Sequence, residues 1–344
     1  MSDFIEKIGF PRLIITVFLL ILIITATVVK IPLPGIIRDI LIRFGMNGIL
    51  VLSMVPAIQS GIGLNFNLPL GIICGLVGAL VSIEFNLCGF TGFLVSLLIG
   101  IPLAIVSGYL YGKMLNKIKG QEMTVSTYVG FSVVSFMCIF WLVAPFKSPE
   151  LIWPYGGNGL RVTVSLENSI GGILDNFLAF PIGSIKIPTG LLLFFALCAF
   201  MVYIFNMSKR GVSMRVAGSS EKFARSNGIN VDRERILGTI LSTMLGAIGI
   251  IVYSQSFGFL QLYTAPLYSA LPAVAAILIG GATIQKAKII HVIIGTFLFQ
   301  SLLVVSLPVI NVLSEGSMSE IIRIIISNGI ILYALTRDLG GESA

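Results

Sequence analysis

Apolar residues run in long blocks along this chain, and Lys, Arg, Asp and Glu stand mostly between the blocks. A charge at mid-bilayer costs about 3 kcal/mol on insertion scales, and a helix needs about 20 apolar residues to cross, so the gaps between charges count membrane helices. One span each is predicted over 13–29, 85–112, 123–146, 187–208 and 289–314. Positions 44–83 hold two, with a natural break at Gly61-Ile62-Gly63-Leu64-Asn65-Phe66-Asn67. Positions 236–285 hold two more, broken around 258–266, and a last span runs over 318–335, where Glu320 and Arg323 can snorkel to its end. The pattern predicts an all-α, polytopic membrane protein of about ten transmembrane helices forming one domain over 1–344.

Composition agrees with the pattern. Of the 344 residues 56% are hydrophobic and 11% charged, against about 25% charged in water-soluble domains. The net charge of +7 does not indicate nucleic acid, because the basic residues lie between apolar runs, where the inner membrane surface attracts them. An even number of spans puts both termini on one side. With the N-terminus inside, the inner segments collect Lys7, Arg12, Lys113, Lys117, Lys119, Lys286, Lys288, Arg337 and the seven basic residues of 209–235. Only Lys30, Arg38, Arg43, Lys147, Arg161, Lys186 and Arg323 fall outside, so both termini are expected to be cytoplasmic. The stretch at 13–29 lacks a cleavage site of the A-x-A kind and reads as a retained span.

Two loops stand out on this map: an extracytoplasmic one over 145–187, containing Trp153, Pro154, Tyr155, Gly156 and Gly157, and a cytoplasmic one over 209–235. The outer loop suits either a docked partner or a cap on the bundle. Small residues recur four apart inside spans, Gly71 with Gly75, Gly108 with Gly112, and Ser242 with Gly246, a spacing that lets helix backbones approach closely.

Several chemistries are absent from the sequence. There is no P-loop, no H-E-x-x-H and no G-x-S-x-G; Cys74, Cys88, Cys138 and Cys198 form no metal or disulfide pattern; and His291, the one histidine, reads as an interfacial polar side chain. Spans almost free of ionisable groups argue against a proton-driven carrier, so a solute moved by this chain would draw its energy from another subunit. Glu84 falls at an outer turn, where water can solvate it. Neutral polar residues within the runs, among them Gln59, Asn65 and Asn67, suit an uncharged, hydrogen-bonding solute, or equally hydrogen bonds between helices.

The inner loop reads KRGVSMRVAGSSEKFARSNGINVDRER. Ser220 can cap a short helix that Asn227-Gly228 ends, Glu221 and Arg225 stand four apart on it, and Phe223 with Ala224 offers a small apolar face. That face is too small to hold a membrane-surface helix and suits a groove on another protein.

Met214-Arg215-Val216-Ala217-Gly218, Ala224-Arg225 and Gly228-Ile229-Asn230-Val231 closely resemble the cytoplasmic signature of permease subunits of bacterial ABC importers of the ribose, galactose and simple-sugar class, related to the branched-chain amino acid permeases. The segment AVAAILIGGAT over 273–283 and the Gly295-Thr296 pair are similar to further family segments. The resemblance implies that 219–227 couples the chain to an ATPase, with Arg215, Ser220, Glu221, Phe223, Arg225, Asn227 and Gly228 as coupling residues. It implies a bacterial inner-membrane importer with ATP and Mg on nucleotide-binding partner subunits and none in this chain. It further implies an extracytoplasmic solute-binding protein and a second permease subunit forming a homo- or heterodimer. Gln59, Asn65 and Asn67 are the candidates for the solute path. Two departures leave the solute open between a sugar or nucleoside and a branched-chain amino acid: the second-span break lacks the Asp of the Gly-Gly-Ile-Asp-Leu-Ser pattern, and Gln285-Lys286-Ala287-Lys288 stands where the family has glycines. A secondary carrier without an ATPase is the reading from a different class.

Overall fold

The computed structural model describes residues 10–153, 159–183 and 185–313, with six further positions between 324 and 332. In chain order the helices are α1 (Phe10–Val28), α2 (Leu33–Leu52), α3 (Met54–Gln59), α4 (Leu68–Glu84), α5 (Gly89–Leu115), α6 (Glu122–Val143) and α7 (Ile173–Asn176). They continue with α8 (Thr189–Met207), α9 (Lys209–Ser219), α10 (Glu221–Ser226), α11 (Val231–Phe257), α12 (Ala265–Tyr268), α13 (Ala270–Ile279) and α14 (Ile289–Leu313). Four short strands, β1 (Thr163–Ser165), β2 (Phe180–Ile182), β3 (Ile185–Ile187) and β4 (Phe259–Gln261), complete the list. Among the described residues six helices are long and apolar enough to cross a membrane, and three shorter apolar helices accompany them. The predicted span at 318–335, and with it Glu320 and Arg323, falls outside the described residues apart from three helical pairs. So do Lys7, Arg337, Pro154, Tyr155, Gly156 and Gly157.

Two boundaries differ from the charge-gap reading. The helix expected to begin at Phe44 begins at Leu33 and carries Arg38, Asp39 and Arg43. Together α2 and α3 run 27 residues, about 40 Å, which exceeds the roughly 30 Å apolar layer and leaves the charged turns room outside it. Arg43 accordingly shares a cavity with Ser256 and Phe257, at the end of α11. The second correction concerns 236–285. Its latter part is not a full span: α12 and α13 together make a short apolar helix over Ala265–Ile279, about 22 Å long, less than the roughly 30 Å apolar layer.

The small-residue pairs do what their spacing predicts. A Cβ on Gly71 would stand 2.5 Å from the Thr243 carbonyl, one on Gly75 2.5 Å from that of Ala247, and one on Gly112 2.3 Å from Thr239 Oγ1. Helices α4, α5 and α11 therefore touch backbone to backbone along most of their length, the close packing that replaces a hydrophobic drive in lipid.

At one end of the bundle the 145–187 loop folds down as a cap. Strand β1 pairs antiparallel with β4, matching Thr163 to Gln261, and Leu151, Leu160, Val164, Leu166 and Ile170 are buried beneath it. Glu84 is not simply solvated: its carboxylate accepts from the backbone N–H groups of Lys147 and Ser148 at 3.0 Å and pins the start of the cap. The opposite, basic end carries the 209–235 segment together with the breaks at 60–67 and 280–288.

Candidate coupling surface and solute path

The basic loop folds as two helices, where the sequence indicated one. Lys209 and Arg210 do not merely flank a span; they open α9, capped by Ser208, whose Oγ accepts from the Gly211 N–H. Ser220 caps α10 as expected, its Oγ accepting from the Phe223 N–H at 3.3 Å. Gly228 ends the helix at φ +74°, a conformation glycine adopts without strain. Asn230 caps α11 in turn. Phe223 and Ala224 do not share a face: Ala224 is fully buried against Ala217 and Val231, while Phe223 is 60% exposed. Arg215 donates to the Asn206 carbonyl, so it holds α9 against the end of α8.

The predicted pair is formed, with Arg225 Nη2 2.7 Å from Glu221 Oε1. A residue that the sequence did not single out completes it: Lys119, in the loop before α6, lies 3.1 Å from Glu221 and 2.8 Å from Asp232. Asn116 adds a bond to the Asp232 carbonyl. Hydrogen bonds from Arg225, and then from Lys119, hold the Glu221 carboxyl below its ordinary value of 4.5. A depressed acid stabilises the fold above its unfolded pKa and loses that contribution as pH falls through its folded one. Hydrogen exchange of 219–228, corrected for its intrinsic rate, is therefore expected to hold steady from neutrality down to pH 4.5 and to quicken only below it. The change is small, because these charges are exposed and screened by salt.

Behind the loop lies the first helix break. Gly218, at the end of α9, meets it backbone to backbone: a Cβ there would stand 2.2 Å from the Gln59 carbonyl and 2.7 Å from the Gly61 nitrogen. From the other side Gly238 of α11 presses on Ser60, at 2.2 Å from its Oγ by the same measure. The three amide side chains proposed for the path are all buried. Gln59 donates to the Ala287 carbonyl at 2.9 Å, which ties the two breaks together. Asn65 donates to Ser242 Oγ and accepts from the Asn67 N–H. The Gln285-Lys286 departure makes a tight turn in which Thr283 and Lys286 exchange backbone bonds. Arg12, read as a topology charge, donates to the Gly280 carbonyl at the end of α13.

Two cavities lie beside the breaks. The larger, of about 660 Å³, has Gly63, Gln121, Thr124, Ser219 and Gln285 in its wall. The smaller, of about 190 Å³, is lined by Phe66, Pro69, Thr127, Phe131, Leu267, Ala270 and Leu271, with no ionisable side chain. Gln59, Asn65 and Asn67 line neither; they hold the backbone that does.

One further pair is buried at the basic end. Arg235 of α11 bonds Glu122 at the start of α6, with side chains 7% and 14% exposed.

Long apolar helices, glycine-mediated packing, helices broken within the bundle and a capped basic loop joined to one break define a multi-pass membrane protein. Residues 36–334 match the family described as branched-chain amino acid transport system / permease component, and the chain belongs to that family of ABC permease subunits. It is a transport subunit rather than an enzyme, of a family whose members partner with ATPase subunits. No curated protein and no solved structure matches the chain.

Proposed function

We propose that this chain is the membrane subunit of a bacterial inner-membrane importer for a small uncharged polar solute, a sugar or a nucleoside. Its basic end faces the cytoplasm, and with a second permease subunit it alternates between outward- and inward-open states. Nucleotide-binding subunits hydrolyse ATP with Mg, and an extracytoplasmic binding protein delivers the solute. The observation that carries the reading is the joint between α10, which presents exposed Phe223 beside Arg225, and the first helix break, which α9 touches through Gly218. A partner can shift a two-state equilibrium only by engaging the states differently, and this joint ties its footing to the broken helix. The uncharged lining of the smaller cavity supports a neutral solute, since an unpaired charge there would carry its full desolvation cost. The family's description favours, as a second reading, a branched-chain amino acid, whose aliphatic end Leu267 and Leu271 would fit.

Within this reading Gln59, Asn65 and Asn67 shape the path from behind. Arg215, Ser220, Glu221, Asn227 and Gly228 hold Phe223 and Arg225 in place. Purification with the proteins encoded beside it should yield a stoichiometric ATPase and a binding protein whose bound ligand names the solute. In that reconstituted complex Phe223→Ala and Arg225→Glu are expected to weaken ATPase association or to leave hydrolysis running without uptake, the bundle staying folded. Coupled uptake unchanged in both variants, or uptake driven by an ion gradient with no ATPase present, overturns the reading.

A further inference from the structure

We infer that the solute path of this chain runs along one face of α6 and is closed, in the conformation shown, by a single constriction made of Met123, Ile284 and Gly63. The inference rests on the transport reading but concerns where the path lies, which that reading leaves open.

The same three stretches of chain wall both cavities in matching order. On α6, Met123 and Thr124 line the larger cavity, while Thr127 and Phe131 line the smaller. These positions fall at helical spacings of three and four, so they share one face, and Thr124 to Thr127 is a rise of about 4.5 Å. On the first break, Gly63 faces the larger cavity and Phe66 with Pro69 the smaller. On the second broken segment Ile284 and Gln285 line the larger, Leu267 and Leu271 the smaller. Two voids bounded in register by the same three segments are one passage interrupted between them.

The interruption has an address. A Cβ on Gly63 would stand 3.0 Å from Met123 Cε and 3.4 Å from Ile284 Cγ2, so one apolar tip from each of two walls closes over the bare backbone of the third. Gly63 has φ +86°, which favours glycine, and a side chain there would narrow the gap further. Methionine suits such a point because its unbranched thioether changes rotamer at little cost. The polarity of the walls is graded as well. Gln121, Glu122, Thr124, Ser219 and Gln285 make the larger cavity polar, whereas Phe66 and Phe131 make the smaller one apolar.

Labelling of single cysteines by a membrane-impermeant trimethylammonium methanethiosulfonate tests this. The reconstituted complex is used in a background with the four native cysteines replaced, and Lys117→Cys marks the vesicles that expose the basic end. There Thr124→Cys is expected to react as fast as Lys117→Cys, and Thr127→Cys about tenfold more slowly, since a thiol reagent reacts only where it has access. Adding Met123→Ala, or Ile284→Ala should the first variant not fold, is expected to remove the difference. The inference is overturned if Thr127→Cys reacts as fast as Thr124→Cys while Met123 and Ile284 are in place. It is also overturned if Thr127→Cys stays slow after both substitutions. ATP-driven uptake measured in the same vesicles separates the two levels: uptake with the wrong labelling pattern sinks the path alone, and the expected labelling without uptake sinks the transport reading.

Discussion

Gly218→Ala is expected to leave ATP hydrolysis by the reconstituted complex largely intact while reducing ATP-driven uptake by about tenfold or more. The methyl group would stand 2.2 Å from the Gln59 carbonyl and 2.9 Å from its carbon. Those are backbone atoms that cannot rotate away, so the end of α9 and the helix break must separate. Overpacking of this kind costs about 1–3 kcal/mol. At about 1.4 kcal/mol per factor of ten, that is a shift of about five- to a hundredfold between the conformation shown and its alternatives. The footing proposed for the ATPase, Phe223 and Arg225, lies on α10, beyond Ser220, and is untouched. Hydrolysis and uptake should therefore part company, which a general loss of folding would not produce. Equal losses of both, with a lowered thermal midpoint, would make Gly218 a packing residue only. Gly35→Ala, in α2, is the matched control: a Cβ there meets nothing within 4 Å and its φ is not positive, so uptake and hydrolysis are both expected to stay at the parent level.

The spans were legible because charge is expensive in lipid: among the described residues a helix stands at eight of the ten predicted spans, while the one over 318–335 falls outside them. The rule misplaced the start of α2, where Arg38, Asp39 and Arg43 ride on a helix longer than the layer it crosses. It also counted a full span where α12 and α13 together fall short of one, since an apolar run carries no mark of its depth. Capping made α10 readable: Ser220, Asn227 and Gly228 have local geometry that sequence alone dictates. Its ion-pair partner Lys119 was not readable, because nothing in the sequence brings 119 to 221. For the same reason Gln59, Asn65 and Asn67 were visible as polar residues in an apolar run, but their bonds to Ala287 and Ser242 were hidden. Arg235 was read as a charge flanking a span, when it is a buried partner of Glu122.

Arg235→Ala is expected to lower stability by about 1–3 kcal/mol, because it leaves the half-buried Glu122 carboxylate, on the wall of the larger cavity, without its cation. The pair crosses from the second turn of α11 to the first residue of α6, a peripheral helix that also frames the larger cavity. One carboxylate oxygen of Glu122 keeps the Gly120 N–H, so the arginine is what offsets the remaining charge. Removing both charges together, as in Glu122→Leu with Arg235→Met, is expected to cost far less than the single change, since two apolar side chains of similar size carry no desolvation penalty. Thermal midpoints of the purified chain in one detergent measure both variants. If the double variant unfolds at or below the midpoint of Arg235→Ala, the pair contributes more than charge compensation, and its geometry itself holds α6 to α11. If instead the double variant approaches the parent while uptake is lost, the ion pair is kept for transport rather than for the stability of the bundle.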